Sequence, residues 1–85
     1  LNVWILGMVM YDVIIIGTGP AGYTAGIYCA RYNMKTLVIG KEKGGAIATA
    51  SSIENWPGDN KISGVALMDK IDKHAKELGV EVKSD

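Results

Sequence analysis

The chain has 85 residues, 48% of them hydrophobic and 21% charged, which allows one small globular domain and no more. A domain of this size buries roughly 60–70% of its unfolded surface, so its stability is marginal. Nine basic residues balance nine acidic ones, and no basic surplus marks a nucleic-acid or anionic-membrane surface.

The first nine residues, LNVWILGMV, are apolar but lack the basic start and small-residue cleavage site of a signal peptide. Asp12 interrupts the run before it reaches the roughly 20 apolar residues of a spanning helix. Residues 1–9 are therefore expected to be an apolar leader or upstream extension, with Met8 or Met10 opening the domain proper over residues 10–85. Val13 to Ile16 is an unbroken apolar run ending at Gly17, the pattern of a parallel strand covered on both faces.

A helix is predicted from about Pro20 to Tyr32, with proline at the favourable first position and Asn33 as the stop. Gly26 and Cys29 continue the face of Gly22 and are expected to press on the sheet, which makes Cys29 a buried thiol. Packing is the expected role of Tyr23, Tyr28 and Tyr32 on the same helix. Cys29 is the only cysteine, so no internal disulfide, Cys-x-x-Cys pair or cysteine metal site can form, and a reducing cytoplasm is expected.

Leu37 to Ile39 reads as the second strand, followed by an irregular stretch to about Ser63. A loop that long is usually functional or disordered. Ser63 is a good N-cap for a second helix whose apolar stripe is Leu67, Met68, Ile71, Ala75 and Leu78, closed by Gly79. On it, Asp69/Lys73 and Asp72/Lys76 have the spacing of ordinary helix-supporting pairs, and His74 reads as a solvated residue. Val80 to Lys83 alternates as an edge strand does.

The fold class is α/β: half of a doubly wound, Rossmann-type domain with three parallel strands and two helices. With strand order 3-2-1, right-handed crossovers put both helices on one face. The other face and the outer edge of the first strand stay bare, the mark of an incomplete unit.

Gly17, Gly19 and Gly22 stand in G-x-G-x-x-G register between the first strand and helix. The first allows a tight turn, the second lets a pyrophosphate approach the backbone, and the third lets helix and strand pack closely. The helix N-terminus then offers free N–H groups to the phosphates. With a strand before and a helix behind, a dinucleotide site is expected; the bland alternative is a glycine turn that binds nothing. The second strand ends on Gly40, where an acid normally grips a ribose hydroxyl. Glu42 could take that role if the loop folds back. Lys41 and Lys43 could instead accommodate a 2′-phosphate.

The stretch GTGPAGYTAGIYCARYNMKTLVIGKEKGGAIATASSIENWPGDNKISG resembles the N-terminal FAD-binding segment of low-molecular-weight thioredoxin reductases. Its most specific part is Glu54-Asn55-Trp56-Pro57-Gly58, spaced after Gly44-Gly45. The resemblance implies FAD as cofactor, with Gly17, Thr18, Gly19, Pro20, Ala21 and Gly22 at the pyrophosphate. Glu42, Lys43, Gly44, Gly45, Ala46 and Ile47 would follow the adenosine side back towards the flavin, and Asn55 would sit near the cofactor. Some members of the family also end this strand on glycine. Most have glutamine after the glycine pair, where this chain has Ala46. Trp56 either stacks on the cofactor or fills the loop core.

By the same resemblance the parent reaction carries electrons from NAD(P)H through FAD to a disulfide, with thioredoxin or another disulfide protein as partner and a homodimer as assembly. The NADPH site, the redox cysteines and the C-terminal completion of the FAD site do not occur in these residues, so no catalytic residue is assigned and a missing C-terminal part or second chain is expected. A ferredoxin–NADP reductase-like parent, a non-catalytic dinucleotide-binding module, half of a split flavoprotein and a truncated, functionless product are the alternatives.

Overall fold

A computed structural model describes residues 4–5 and 8–85, with side chains from Met10 onward. Two short strands, β1 (Trp4–Ile5) and β2 (Met8–Val9), pair antiparallel. The expectation of a leader over 1–9 falls largely outside the described residues.

The main sheet contains β3 (Val13–Ile16), β4 (Thr36–Gly40) and β5 (Glu81–Ser84), all parallel and in the order β3-β4-β5. Ile14, Leu37 and Glu81 stand in one register row across it. Helix α1 (Pro20–Arg31) connects β3 to β4, and α2 (Gly64–Glu77) connects β4 to β5. Both helices lie on one face and share one core. Tyr23 from α1, Val38 from β4, Met68 and Ala75 from α2, and Val80 form it, with Ile15 and Val82 packed against them. The half-wound α/β unit expected from the strand–helix pattern is what forms.

Local chemistry accounts for the helix ends. Asn33 adopts φ 63° immediately after the Tyr32 cap and stops α1, a conformation asparagine tolerates better than most residues. The Ser63 hydroxyl accepts from the Ala66 N–H at 3.1 Å and starts α2. Gly79 leaves it at φ 96°.

The α1 face is shifted from expectation. Its buried stripe runs Tyr23, Gly26, Ile27, Ala30; Gly26 presses on Val38 and Val80 as expected, but the stripe passes beside Cys29. Cys29 therefore sits at the stripe border and is half-buried, not a core thiol. Tyr28 and Tyr32 lie outside the stripe, 58% and 74% exposed, and pack little. On α2, Leu67, Met68 and Ala75 are buried as the spacing predicts, Ile71 is half-buried, and Leu78 is exposed.

The segment 41–63 is ordered rather than a simple linker. It contains a short 3-10 helix (Gly45–Thr49), and Ile53 and Ile62 then bond each other reciprocally at 2.7 and 3.0 Å, closing the stretch into an antiparallel bridge.

The second face of the sheet is open at Ile14 and Ile16, 55% and 81% exposed, so the apolar β3 run is not covered on both sides. Leu37 departs from the bare face expected there, being only 4% exposed. It occupies the central strand, and its row neighbour Glu81 accepts hydrogen bonds from the Tyr11 hydroxyl and, at 2.6 Å, from Lys35 Nζ. Lys35 also lies 5.7 Å from the Tyr11 ring centre. Among the described residues no helix is long and apolar enough to cross a membrane.

Candidate functional site

The glycine loop leaves β3 where the Gly17 N–H donates to the Ile39 carbonyl at 2.7 Å. Gly19 is the N-cap of α1, with no side-chain cap and no acid in the first turn. Pro20 has no N–H to satisfy, and the first-turn N–H groups of Ala21 and Gly22 precede any carbonyl within the helix that could accept from them. The positive end of α1 is thus left without an internal anion.

The loop glycines answer to different constraints. A Cβ at Gly22 would lie 2.0 Å from the Gly17 carbonyl oxygen, so the fold itself requires glycine there. A Cβ at Gly19 would meet nothing within 4 Å. The protein leaves that space open, beside the free helix end, as a pyrophosphate site needs.

Thr18 lies between these glycines and is only 6% exposed. Its hydroxyl donates to the Glu42 carbonyl at 2.6 Å, and its own carbonyl accepts from the Gly44 N–H at 2.7 Å. A Cβ at Gly40 would stand 2.3 Å from Thr18 Oγ1. The missing acid at the end of β4 has a steric cause: Thr18 occupies its place. Sequence reading missed this contact, since nothing in a G-x-G-x-x-G string says where its second residue points.

The fold brings Gly17–Gly22 together with the start of the 41–47 segment. Glu42 and Lys43 are exposed there, and Lys43 Nζ lies 2.7 Å from Asp69 Oδ1. Asp69 therefore pairs across elements with Lys43 and not with Lys73 along α2. Gly44 is buried, Gly45 and Ala46 are exposed, and Ile47 turns towards the core. Asn55 is exposed in the turn beyond the Ile53 bridge. Its neighbour Trp56 is half-buried and lines a separate cleft of about 460 Å³ between α1 and α2, with Tyr28, Ile71, His74 and Leu78. No glycine-loop residue lines that cleft. His74 is exposed, as expected.

A smaller cavity of about 200 Å³ opens at the carboxyl ends of β4 and β5, bounded by Thr18, Gly40, Lys43 and Lys76, with Tyr23 and Asp72 beneath. The Tyr23 hydroxyl donates to Asp72 Oδ1 at 2.6 Å, and Lys76 Nζ lies 2.9 Å from Asp72 Oδ2. Burial alone pushes the Asp72 carboxyl up, but the hydrogen bonds from Tyr23 and Lys76 outweigh it and hold the group below the usual carboxylate range. Burial, followed by the bond to Asp72, pushes the Tyr23 hydroxyl well up. The Asp72/Lys76 pair expected from spacing is present, but Asp72 is buried at 8% exposure and joins the two helices. One signal was available: Asp72 falls on the apolar stripe, four residues after Met68 and three before Ala75.

A family model described as pyridine nucleotide-disulphide oxidoreductase matches residues 11–84. The chain belongs to that family. Within it, the thioredoxin reductase of Buchnera aphidicola (Acyrthosiphon pisum) is 55% identical over 75 residues, covering 86% of this chain and 24% of the relative. Among solved structures, Lactococcus lactis thioredoxin reductase superposes with a TM-score of 0.81 at 46% identity, over 86% of this chain and 24% of that one. A ferredoxin-flavin thioredoxin reductase from Clostridium acetobutylicum gives 0.79 at 34% identity, over 88% and 26%. The chain therefore spans about a quarter of the length of the oxidoreductases it matches, and it corresponds to their N-terminal segment.

Proposed function

We propose that this chain is the FAD-binding N-terminal portion of a thioredoxin-reductase-like flavoprotein whose parent reaction runs from NAD(P)H through FAD to a disulfide. The observation that supports this reading is the contrast between Gly22, which the fold demands, and Gly19, which caps α1 at φ −83° with open space on its side-chain face beside the unsatisfied N–H groups of the helix. When bound, FAD supplies a ring that accepts a hydride from a reduced nicotinamide and passes the electron pair on to a disulfide.

The residues of this chain bind and orient. The Ala21 and Gly22 N–H groups and the α1 N-terminus take the pyrophosphate, with Gly17, Gly19 and Pro20 shaping its bed. Glu42 to Ile47 form the adenosine wall, and Asn55 lies on the path towards the flavin. Ala46, where the family usually has glutamine, supplies no amide, so that hydrogen bond is missing from the set. Redox cysteines, the nicotinamide site and the thioredoxin contact lie outside these residues, and the parent works as a soluble cytoplasmic homodimer. The likeness to a ferredoxin-flavin reductase over the same portion supports placing the choice of electron donor outside it too.

The open Ile14–Ile16 face favours a second reading, half of a split flavoprotein covered by another chain. Native mass spectrometry of the gene product from its own cells separates the two. A chain several times heavier than 9.1 kDa carrying FAD supports the first. A small chain with FAD and a second subunit at fixed stoichiometry supports the second. A small chain, alone and without flavin, refutes both. The 85-residue chain alone is expected to bind FAD weakly, and sub-micromolar affinity by titration would contradict that.

A further inference from the structure

Trp56, from the Glu54–Gly58 turn, lines the cleft of about 460 Å³ between α1 and α2, and no glycine-loop residue joins it there. That volume falls within the roughly 300–1,000 Å³ of small-molecule sites. Ile27 from α1 and Ile71 from α2 give the cleft aliphatic lining, and Trp56 and Tyr28 give it aromatic lining. Arg31 and His74 supply nitrogen donors, and no acid lines it.

The two donors come together for a topological reason. Each helix returns from the end of one parallel strand to the start of the next, so α1 and α2 run in the same direction. Arg31 is the last residue of α1 and His74 stands in the last turn of α2, which puts both at one end of the cleft. Among the described residues, neither side chain enters an ion pair or a hydrogen bond. A cation at a helix C-terminus is ordinary. A guanidinium fork left uncommitted at the head of an apolar, aromatic-lined cleft is a match for a planar carboxylate carried on an apolar body.

We propose that this cleft is a ligand site separate from the glycine loop, and that it takes a small aromatic monocarboxylate. The ring lies against Trp56 and Tyr28, and the carboxylate accepts from Arg31 with His74 beside it. The site does not depend on the nucleotide reading, and its ligand is neither a nucleotide nor a disulfide.

Isothermal titration of the full-length gene product with 2-naphthoate and its neutral counterpart 2-naphthamide tests this. Wild type should bind the acid at least roughly ten-fold more tightly than the amide, as a hydrogen bond to a charged group implies. Arg31→Gln should bring that ratio close to one. Lys73→Gln removes the same charge from α2 outside the cleft lining and should leave the ratio unchanged. Tyr28→Ala should weaken both ligands several-fold at an unchanged ratio. Arg31 and Tyr28 are exposed on α1, so these variants leave the core intact. A wild type that binds neither ligand below about 1 mM, or binds both equally, overturns the proposal. So does an Arg31→Gln that keeps the preference, and so does binding that appears only after flavin is removed, which would place the probe at the glycine loop. None of these outcomes bears on the nucleotide reading, which rests on other residues.

Discussion

Tyr23 and Asp72 join the two helices through a buried hydrogen bond, and removing it should be costly. Tyr23 is 0% exposed and Asp72 8%, their contact is 2.6 Å, and only Lys76 remains on the carboxylate once the hydroxyl is gone. A hydrogen bond to a charged group contributes about 1.5–3 kcal/mol, and more when its loss strands a buried partner. Tyr23→Phe should therefore lower stability by about 2 kcal/mol. Small domains have total stabilities from about 5 kcal/mol, so this is a large share. In urea unfolding, where small domains lose about 1 kcal/mol per molar, the midpoint should fall by about 2 M with an unchanged slope. Tyr28→Phe, on an exposed ring of the same helix, is the control and should change little.

The effect carries a pH signature. Asp72 has a depressed carboxyl, so its stabilisation is present above the unfolded value of about 3.9 and is lost as pH falls through the folded one. The gap between wild type and Tyr23→Phe should accordingly narrow below about pH 4. A loss under about 0.5 kcal/mol at neutral pH, or a gap that widens on acidification, would refute the assignment of the Tyr23–Asp72 bond as the tie between α1 and α2.

Gly22→Ala drives a Cβ to 2.0 Å from the Gly17 carbonyl; the loop must deform, and flavin retained by the full-length product, read as the ratio of flavin to protein absorbance, should fall by at least ten-fold. Ser63→Ala removes the N-cap of α2 and should cost about 1 kcal/mol in denaturant unfolding, with Ser63→Thr recovering most of it. The Lys35 ammonium, and after it the Tyr11 hydroxyl, hold the Glu81 carboxyl below its ordinary range. Lys35→Met should therefore reduce stability at neutral pH, and the deficit should fade as pH drops below about 4.3, where the unfolded group protonates.

Much of the fold was legible because its signals are local. The apolar run Val13–Ile16, proline at the first position of α1, Ser63 before α2 and Gly79 behind it each act within a few residues, and each element formed where they point. Given the order β3-β4-β5, right-handed crossovers put both helices on one face, as they do here. Cys29 was misplaced because the buried stripe of α1 is set by how the helix rotates against Val38 and Val80, not by the glycine spacing. Leu37, 4% exposed, is buried on the central strand beside Glu81, 44 residues further along the chain, a neighbour that spacing within one strand does not show.

The candidate site divides along the same line. The glycine register, the free helix end and the membership of residues 11–84 in the oxidoreductase family are properties of neighbouring residues along the chain. The reason that no acid follows β4 is not. It lies in a contact between Thr18 and Gly40 across 22 positions, made only when two parallel strands set their carboxyl ends side by side. Asp72 likewise looks like a helix-surface acid until α1 brings a tyrosine hydroxyl to it. Spacing along one element decides which residues share a face; what that face meets depends on the register and rotation of another element, which only the assembled core sets.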